Sequence, residues 1–532
     1  MNLSHDALYS SRRSPILARN IVSTSQPLAA QAGVRMLLSG GNAADAAIAA
    51  AIALTVVEPT GNGLGSDAYA ILWDGQKLHG LNASGRAPSK WSPQRFASNT
   101  VMPQRGWEAV TTPGAVSAWQ EISQKFGKLS FEKLFEPAIE YASRGFSVSP
   151  IIASLWEKGG QVLEKQPGFA EAFLPNGRAP KAGELFTNPA LANSLTEIAE
   201  TKGESFYRGK LAQQIVAFAQ KHNAALSEDD LALHKADWVG TISQKFGNVH
   251  LHEIPPNGQG ISALIALGIL QHTAIAEYGP DSAEALHLEI EAMKLAFADM
   301  RAYVADLDYM RDITVEHLLS DDYLKSRAAL IDRNKAQDFK AGAPKHGGTI
   351  YVTAADENGM MVSFIQSNYM GFGSGVVVPK TSISLQNRGH GFSLENGHPN
   401  QIAGGKRPFQ TIIPGFLMGE NGQPVMSFGV MGGPMQAQGH LQITLRTQLW
   451  QQDPQTAADA PRWQALFGLE VAVESSIGQE VIESLRTKGH NIQVETPDNT
   501  NFGFGGAQLI AKTNSGYIAG SDPRKDGCAI GY

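Results

Sequence analysis

The sequence predicts an α+β protein whose helices and strands are segregated along the chain. From residue 25 to about 304 the apolar residues recur mainly at helical spacing, interrupted by one early hairpin. After Thr349 the period shortens to two and short strands follow one another. At 532 residues the chain exceeds one ordinary core, so it forms either several compact units or one large intertwined one.

In order, Ser25-Gln26-Pro27 reads as a helix start, serine capping and proline in the first turn; the helix runs to Leu38 and stops at Gly40-Gly41. Asn42 caps a second helix, Ala43 to about Val57, apolar on nearly all faces and therefore buried. The glycine-rich turn Thr60 to Asp67 leads into a strand at Ala68–Trp73, a hairpin turn at Asp74-Gly75 and a second strand. Residues 115–235 read as mostly helical, and Pro255-Pro256-Asn257-Gly258-Gln259-Gly260 as a rigid loop before a helix over 261–276. Leu286, Ile290, Met293, Phe297, Met300 and Val304 form one stripe of an amphipathic helix, with Glu289 and Glu291 assigned to its solvated face. The polar stretch Asp332 to Gly348 reads as exposed. Strands then fit 349–356, 360–367, 375–378, 412–418 and 425–430, a helix about 434–451, and strands 507–511 and 516–519.

Composition narrows the function. Apolar residues are 42% and charged residues 17%, as in a soluble globular protein. The net charge of −7 argues against a nucleic-acid partner, which needs a basic face. The single cysteine, Cys528, excludes an intrachain disulfide and a thiolate metal cluster. His346, His390, His398 and His440 lack zinc-ligand spacing, so no metal site and no cofactor is expected. The N-terminus shows no apolar signal region, which makes the cytoplasm the expected compartment. The apolar run Ala46 to Val57 falls short of the roughly 20 residues a membrane span requires.

Three motifs bear on chemistry. Gly347-Gly348-Thr349 places a threonine at the first position of an apolar strand. In most proteins this is a turn; cut between Gly348 and Thr349, it sets a free α-amine beside a hydroxyl, the pairing that activates a terminal threonine. Gly432-Gly433 joins a strand to a helix, where backbone N–H groups can stabilise an oxyanion, though such connections are also common without function. Gly61-x-Gly63-x-Gly65 lies between a helix and a strand, the reverse of the dinucleotide-binding order, and reads as a close-packed turn lining a pocket.

Taken together and in order, these motifs resemble the γ-glutamyltransferase family of N-terminal nucleophile hydrolases, including its cephalosporin-acylase-like branch. The resemblance spans Gly40 to Ala47, Thr112-Pro113-Gly114, Pro255 to Gly260, Glu291 to Asp299, Gly347-Gly348-Thr349, Lys406-Arg407-Pro408, Gly432-Gly433, Asp522-Pro523-Arg524 and Gly531-Tyr532. It implies an αββα sandwich, two stacked antiparallel sheets between helical layers. It implies self-cleavage into a large subunit, 1–348, and a small subunit, 349–532, interlocked in one fold. Thr349 becomes nucleophile and, through its α-amine, base; Ser367 stands where the family has a second threonine that orients the nucleophile; Gly432 and Gly433 form the oxyanion hole. The substrate is a small-molecule amide, γ-glutamyl (glutathione-like) or a related acyl amide. Whether two processed heterodimers pair is left open.

The substrate residues depart from the family. Its carboxylate-binding arginine maps to Ser84, with Arg86 nearby as a shifted alternative. The aspartate that receives the glutamyl α-amine maps to Gly391, the adjacent glutamine to Arg388, and two serines to Gln410 and Thr411. The segment between Asn400 and Lys406 is too short for the lid found in some members. An unpaired ammonium is costly to bury, so a carboxylate-bearing acyl group without an α-amine fits better, as in glutaryl-type acylases. The rival from another class is an unprocessed binding protein that keeps the fold without catalysis.

Overall fold

The computed structural model describes residues 13–311, 313–340, 348–495 and 502–532. Its centre is the strand Gly348–Ala355, buried along its length from Thr349 onward. Side chains alternate across a strand. Ile350, Val352 and Ala354 join a core with the helices Pro27–Leu38 and Ala43–Val57. Tyr351 and Ala355 join another with Phe416, Met431 and Ile510 of a second sheet.

Two seven-stranded antiparallel sheets result. The first runs Cys528–Gly531, Ile21–Thr24, Gly348–Ala355, Met361–Tyr369, Asp67–Trp73, Leu78–Ala83, Asp237–Trp238. The second runs Ile16–Ala18, Gly516–Ser521, Gly506–Thr513, Pro424–Met431, Gly415–Gly419, Val249–Glu253, Ile242–Phe246. Gly260–Gln271, Ala283–Tyr303 and Met435–Thr444 cover the outer face of the second. The order helix, sheet, sheet, helix is the expected sandwich, and both sheets take strands from either side of the Gly348–Thr349 bond.

The helix Ala43–Val57 is buried at every position and capped reciprocally by Asn42 and Asp45. Its alanines let the preceding helix approach closely: a Cβ on Gly33 would stand 2.9 Å from the Ala46 carbonyl oxygen. Ser25 does not cap that preceding helix. Gln26 occupies the cap position without a side-chain bond, and the Ser25 hydroxyl instead donates to Glu58, a buried carboxylate that needs a donor.

Glu289 and Glu291 are not solvated either; they are 3% and 0% exposed. A three-stranded sheet, Trp463–Ala465, Glu470–Glu474 and Asn491–Glu495, was not foreseen, and its first strand packs on the helix at Glu289. Glu289 accepts from Trp463 Nε1 at 2.8 Å, and Glu291 pairs with Lys294 at 2.7 Å. The helix expected over 261–276 ends at Gln271. The predicted polar segment is mostly exposed where described, though Ala336 is held by Lys488 O at 2.7 Å; its remainder, 341–347, lies outside the described residues. Among the described residues no helix is long and apolar enough to cross a membrane.

Candidate active site

Thr349 is 3% exposed and opens on a cavity of about 420 Å3. Its hydroxyl donates to Ser367 Oγ at 3.1 Å, and Ser367 Oγ donates to the carbonyl oxygen of Gly348 at 2.6 Å. The backbone N–H of Tyr369 donates to the same Ser367 oxygen at 2.7 Å, which fixes its lone pairs. A bulge creates this arrangement. Gly348 pairs with Tyr369 but Ile350 with Gln366, so Ser367 and Asn368 together face Thr349. Tyr369 takes a φ of 78° to return to register, an uncommon conformation for an aromatic residue and the kind of local strain found at working sites.

The turn Thr60-Gly61 packs against the other side. A Cβ on Gly61 would lie 3.3 Å from Thr349 N, C and O alike, so the backbones approach more closely than most side-chain-bearing residues do. Gly63 and Gly65 are pressed on Ser384 in the same way, and the close-packed, pocket-lining turn read from the sequence is what the chain builds. The cavity has an apolar wall that includes Leu163, Phe372 and Leu466, and charged groups that include Arg105, Lys158 and Glu58. Burial pushes the Glu58 carboxyl up to about 7, against the pull of the Lys525 ammonium.

Gly432 and Gly433 have φ of 121° and 62°, in the turn between Pro424–Met431 and Met435–Thr444. Their carbonyls serve Met435 N and Gln436 N. The Gln436 side chain, locked by Ile413 N at 3.0 Å, donates to Thr349 Oγ1 at 3.4 Å. The first turn of this helix therefore touches the threonine. The rigid loop before Gly260–Gln271 braces the turn from behind: Gln259 Nε2 donates to Gly433 O at 2.8 Å and also to Thr411 O.

The substrate residues named from the sequence fall in two places. Arg388, Gln410 and Thr411 are buried together around Asp67 and Tyr369. Burial pulls the Arg388 guanidinium down to about 10, opposed chiefly by Asp67; burial pushes Asp67 up to about 6, opposed chiefly by Arg388. Arg86 lies apart, its side chain 45% exposed and bonded to Asp306 and Gly405 O. Ser84 is fully buried in a neutral network with Asn82, Tyr69 and Asn257. At Gly391 a Cβ would stand 2.6 Å from Phe409 O, so a carboxylate side chain has no room. Sequence reasoning missed Glu58, Asp67, Tyr369 and Gln436; the one local signal was that Gln436 lies in the turn after Gly432-Gly433.

His287, Glu291 and His490 bring candidate metal-ligand atoms within 4.8 Å of one another. His287 Nε2 donates to Asp332 O, so its Nδ1 accepts from His490 Nε2 at 2.8 Å. Glu291 is spent on Lys294 and Gln337 N. The group reads as a hydrogen-bonded clasp between distant chain segments.

The stacked sheets, with a threonine at the head of a central strand and its hydroxyl one relay from the preceding carbonyl, define a hydrolase of the N-terminal nucleophile class. The family model described as Gamma-glutamyltranspeptidase matches residues 29–532, and the chain belongs to that family. It is 34% identical over 528 residues to the glutathione hydrolase-like YwrD proenzyme of Bacillus subtilis (strain 168), covering 98% of this chain and 99% of that protein. It is 35% identical over 521 residues to the oxamate amidohydrolase proenzyme of Klebsiella pneumoniae, covering 95% and 97%. Among solved structures, the cephalosporin acylase from Bacillus halodurans superposes with a TM-score of 0.95 at 45% identity, covering 100% of this chain and 99% of that one. The chain is thus an enzyme of a hydrolase family with both glutathione hydrolases and acylases among its relatives.

Proposed function

We propose that this chain is an autoprocessing amidohydrolase or acyltransferase that uses Thr349 as nucleophile on an acyl amide. The observation that carries the reading is the chain of atoms Thr349 Oγ1, Ser367 Oγ, Gly348 O. Thr349 Oγ1 attacks the Gly348 carbonyl carbon. Its proton passes to Ser367 Oγ as the Ser367 proton passes to the carbonyl oxygen. The tetrahedral centre collapses, the C–N bond breaks, and the nitrogen of Thr349 takes the proton back. Water then hydrolyses the ester, leaving a Gly348 carboxylate and a free Thr349 amine and hydroxyl. The products are residues 1–348 and 349–532.

The new α-amine, with a reference pKa of about 7.7–8.0, is partly neutral near pH 7.5 and takes the Thr349 hydroxyl proton in turnover. The donor's acyl group passes to Thr349 and then to water or an acceptor amine. Gly432 and Gly433 N–H groups hold the oxyanion. Between a γ-glutamyl and a simpler acyl donor, the closed space at Gly391 favours the latter, since no carboxylate can stand there to meet an α-ammonium.

The test is a denaturing gel with intact-mass measurement. Wild type should resolve into chains ending at Gly348 and beginning at Thr349, and Thr349→Ala should stay whole. A wild-type protein that persists as one chain alongside Thr349→Ala would refute the reading.

A further inference from the structure

Glu58, Lys525 and Thr349 line one cavity of about 420 Å3. Glu58 and Lys525 are 1% and 6% exposed, and Lys525 Nζ stands 3.7 Å from Glu58 Oε1. The Ser25 hydroxyl donates to Glu58 Oε2 at 2.5 Å and fixes the carboxyl. The backbone ties that carboxyl to the threonine. Glu58 O accepts from Gly61 N at 3.2 Å and from Asn62 Nδ2 at 2.8 Å, which sets Glu58 one turn from the glycine that packs on Thr349 N. Between them, Thr60 is 4% exposed and its hydroxyl has no partner among the described residues, so this turn has capacity for one more polar group. Lys525 arrives from the C-terminal loop with its stem pressed on Gly506, where a Cβ would stand 2.6 Å from Lys525 Cγ.

Cutting the Gly348–Thr349 bond changes the charge on this wall. The uncut chain has a neutral peptide N–H at Thr349; the product has an amine that binds a proton. A carboxylate nearby favours the ammonium form, and a second cation nearby favours the neutral one. Only the neutral amine can take the Thr349 hydroxyl proton. The other charged groups on the cavity belong to other elements. Arg105 is turned to the carbonyl oxygens of Gly371 and Gly373, Lys158 stands on the helix Pro150–Leu163, and Glu495 ends the strand Asn491–Glu495. Asp526 repels the Glu58 carboxylate but is itself held by Ile151 N at 3.1 Å and Gln26 Nε2 at 3.5 Å. Burial keeps the phenol of Tyr369, on the paired strand, neutral.

We infer that Glu58 and Lys525 are positioning residues for the mature nucleophile: they receive the Thr349 α-amine and act on its proton in opposite directions, the carboxylate holding the ammonium and the lysine favouring the neutral base. This deepens the Thr349 reading and rests on it.

The proton on Thr349 can be read without a substrate. Processed protein is pulsed with acetic anhydride over a pH series spanning the reference range of about 7.7–8.0, and acetylation of the N-terminal peptide of the small subunit is followed by mass spectrometry. The curve gives the midpoint of the amine. Glu58→Gln and Lys525→Met keep the side-chain length, and both should be processed, because the amine does not exist until the bond is cut. The midpoint should fall by about one pH unit in Glu58→Gln and rise by about one in Lys525→Met, the order expected of a unit charge some 8 Å away at an effective dielectric of about 20. Lys525→Arg keeps the charge and should stay within about 0.3 units of wild type. A purely structural role would lower melting temperatures without moving the two midpoints apart. Midpoints that shift by less than about 0.3 units, or in the same direction, would overturn the proposal. Where one variant does not fold or is not processed, the direction of the other decides. Where neither is recovered processed, the pair serves the scaffold or the cleavage step, and the proposal falls. A wild type that stays in one chain sinks the nucleophile reading and this proposal with it; a processed wild type whose midpoint ignores both residues sinks this proposal alone.

Discussion

Ser367 donates a hydrogen bond of 2.6 Å to the carbonyl oxygen of Gly348 while accepting one from the neighbouring threonine. On the proposed mechanism, one hydroxyl thus links the attacking atom to the carbonyl oxygen that takes up its proton. Ser367→Ala should slow cleavage of the chain by roughly 10²–10⁴-fold, the usual range for losing a positioned proton-transfer group. Ser367→Thr keeps the hydroxyl and should process within a few hours of wild type. A time course of the two fragments on a gel checks both.

Gly61 and Gly65 separate activity from stability. A Cβ on Gly61 meets Thr349 backbone atoms at 3.3 Å, a contact that a small displacement relieves. Gly61→Ala should leave the melting temperature nearly unchanged and lower kcat through the misplaced threonine. At Gly65 the Cβ would meet the Ser384 carbonyl oxygen at 2.3 Å, which requires the backbone to move. Gly65→Ala should cost about 1–3 kcal/mol of stability. Calorimetry beside steady-state rates tells the two effects apart.

Gln436 holds Ile413 N–H and Thr349 Oγ1 with one amide. Gln436→Met leaves the buried Ile413 N–H without its acceptor, a cost of about 1–3 kcal/mol, and frees the threonine hydroxyl. Gln436→Glu keeps an acceptor for Ile413 N–H but places a carboxyl in a fully buried site, so it should regain only part of that stability and leave processing slow. Parallel melting and cleavage measurements on the pair test this division.

Glu289 gives stability a pH dependence. Burial pushes its carboxyl up to about 7, with the Trp463 N–H pulling the other way. Because the folded value lies above the unfolded one, the native state binds the extra proton, and stability falls as pH rises from about 4.5 through 7. The full cost above that window is on the order of 3 kcal/mol. Glu289→Gln retains an acceptor for Trp463 and carries no charge. It should melt higher than wild type at pH 8, with the gap shrinking toward pH 5; an equal gap at both values would contradict the assignment.

Local patterns were readable and remote ones were not. Asn42 and Asp45 form their reciprocal cap from residues three apart, and Thr349 heads a strand because a polar loop meets an apolar run. Ser25 misled because its hydroxyl is claimed by Glu58, at the far end of the next helix. Glu289 misled because Trp463 roofs it, and Glu291 because the remote segment at Gln337 donates to it, contacts that periodicity cannot see. Arg388 was identifiable as a departure from the family pattern. That two of its nitrogens are idle depends on burial and on Asp67 being occupied elsewhere. Arg86 looked equally promising in sequence, and the fold turns it toward Asp306.

Strands from both sides of Gly348–Thr349 are interleaved in both sheets, which would make the proposed self-cleavage a one-way ratchet. Before the cut, unfolding and refolding are events within one molecule. Afterwards the two pieces remain woven through both sheets, so the native state is barely altered, but once melted they diffuse apart and must find each other again. Refolding then depends on concentration, and heat inactivation of the mature enzyme becomes effectively irreversible at dilution. Persistence of the processed form is therefore governed by its unfolding rate, and a record of having folded correctly once is written into the covalent structure of every mature molecule.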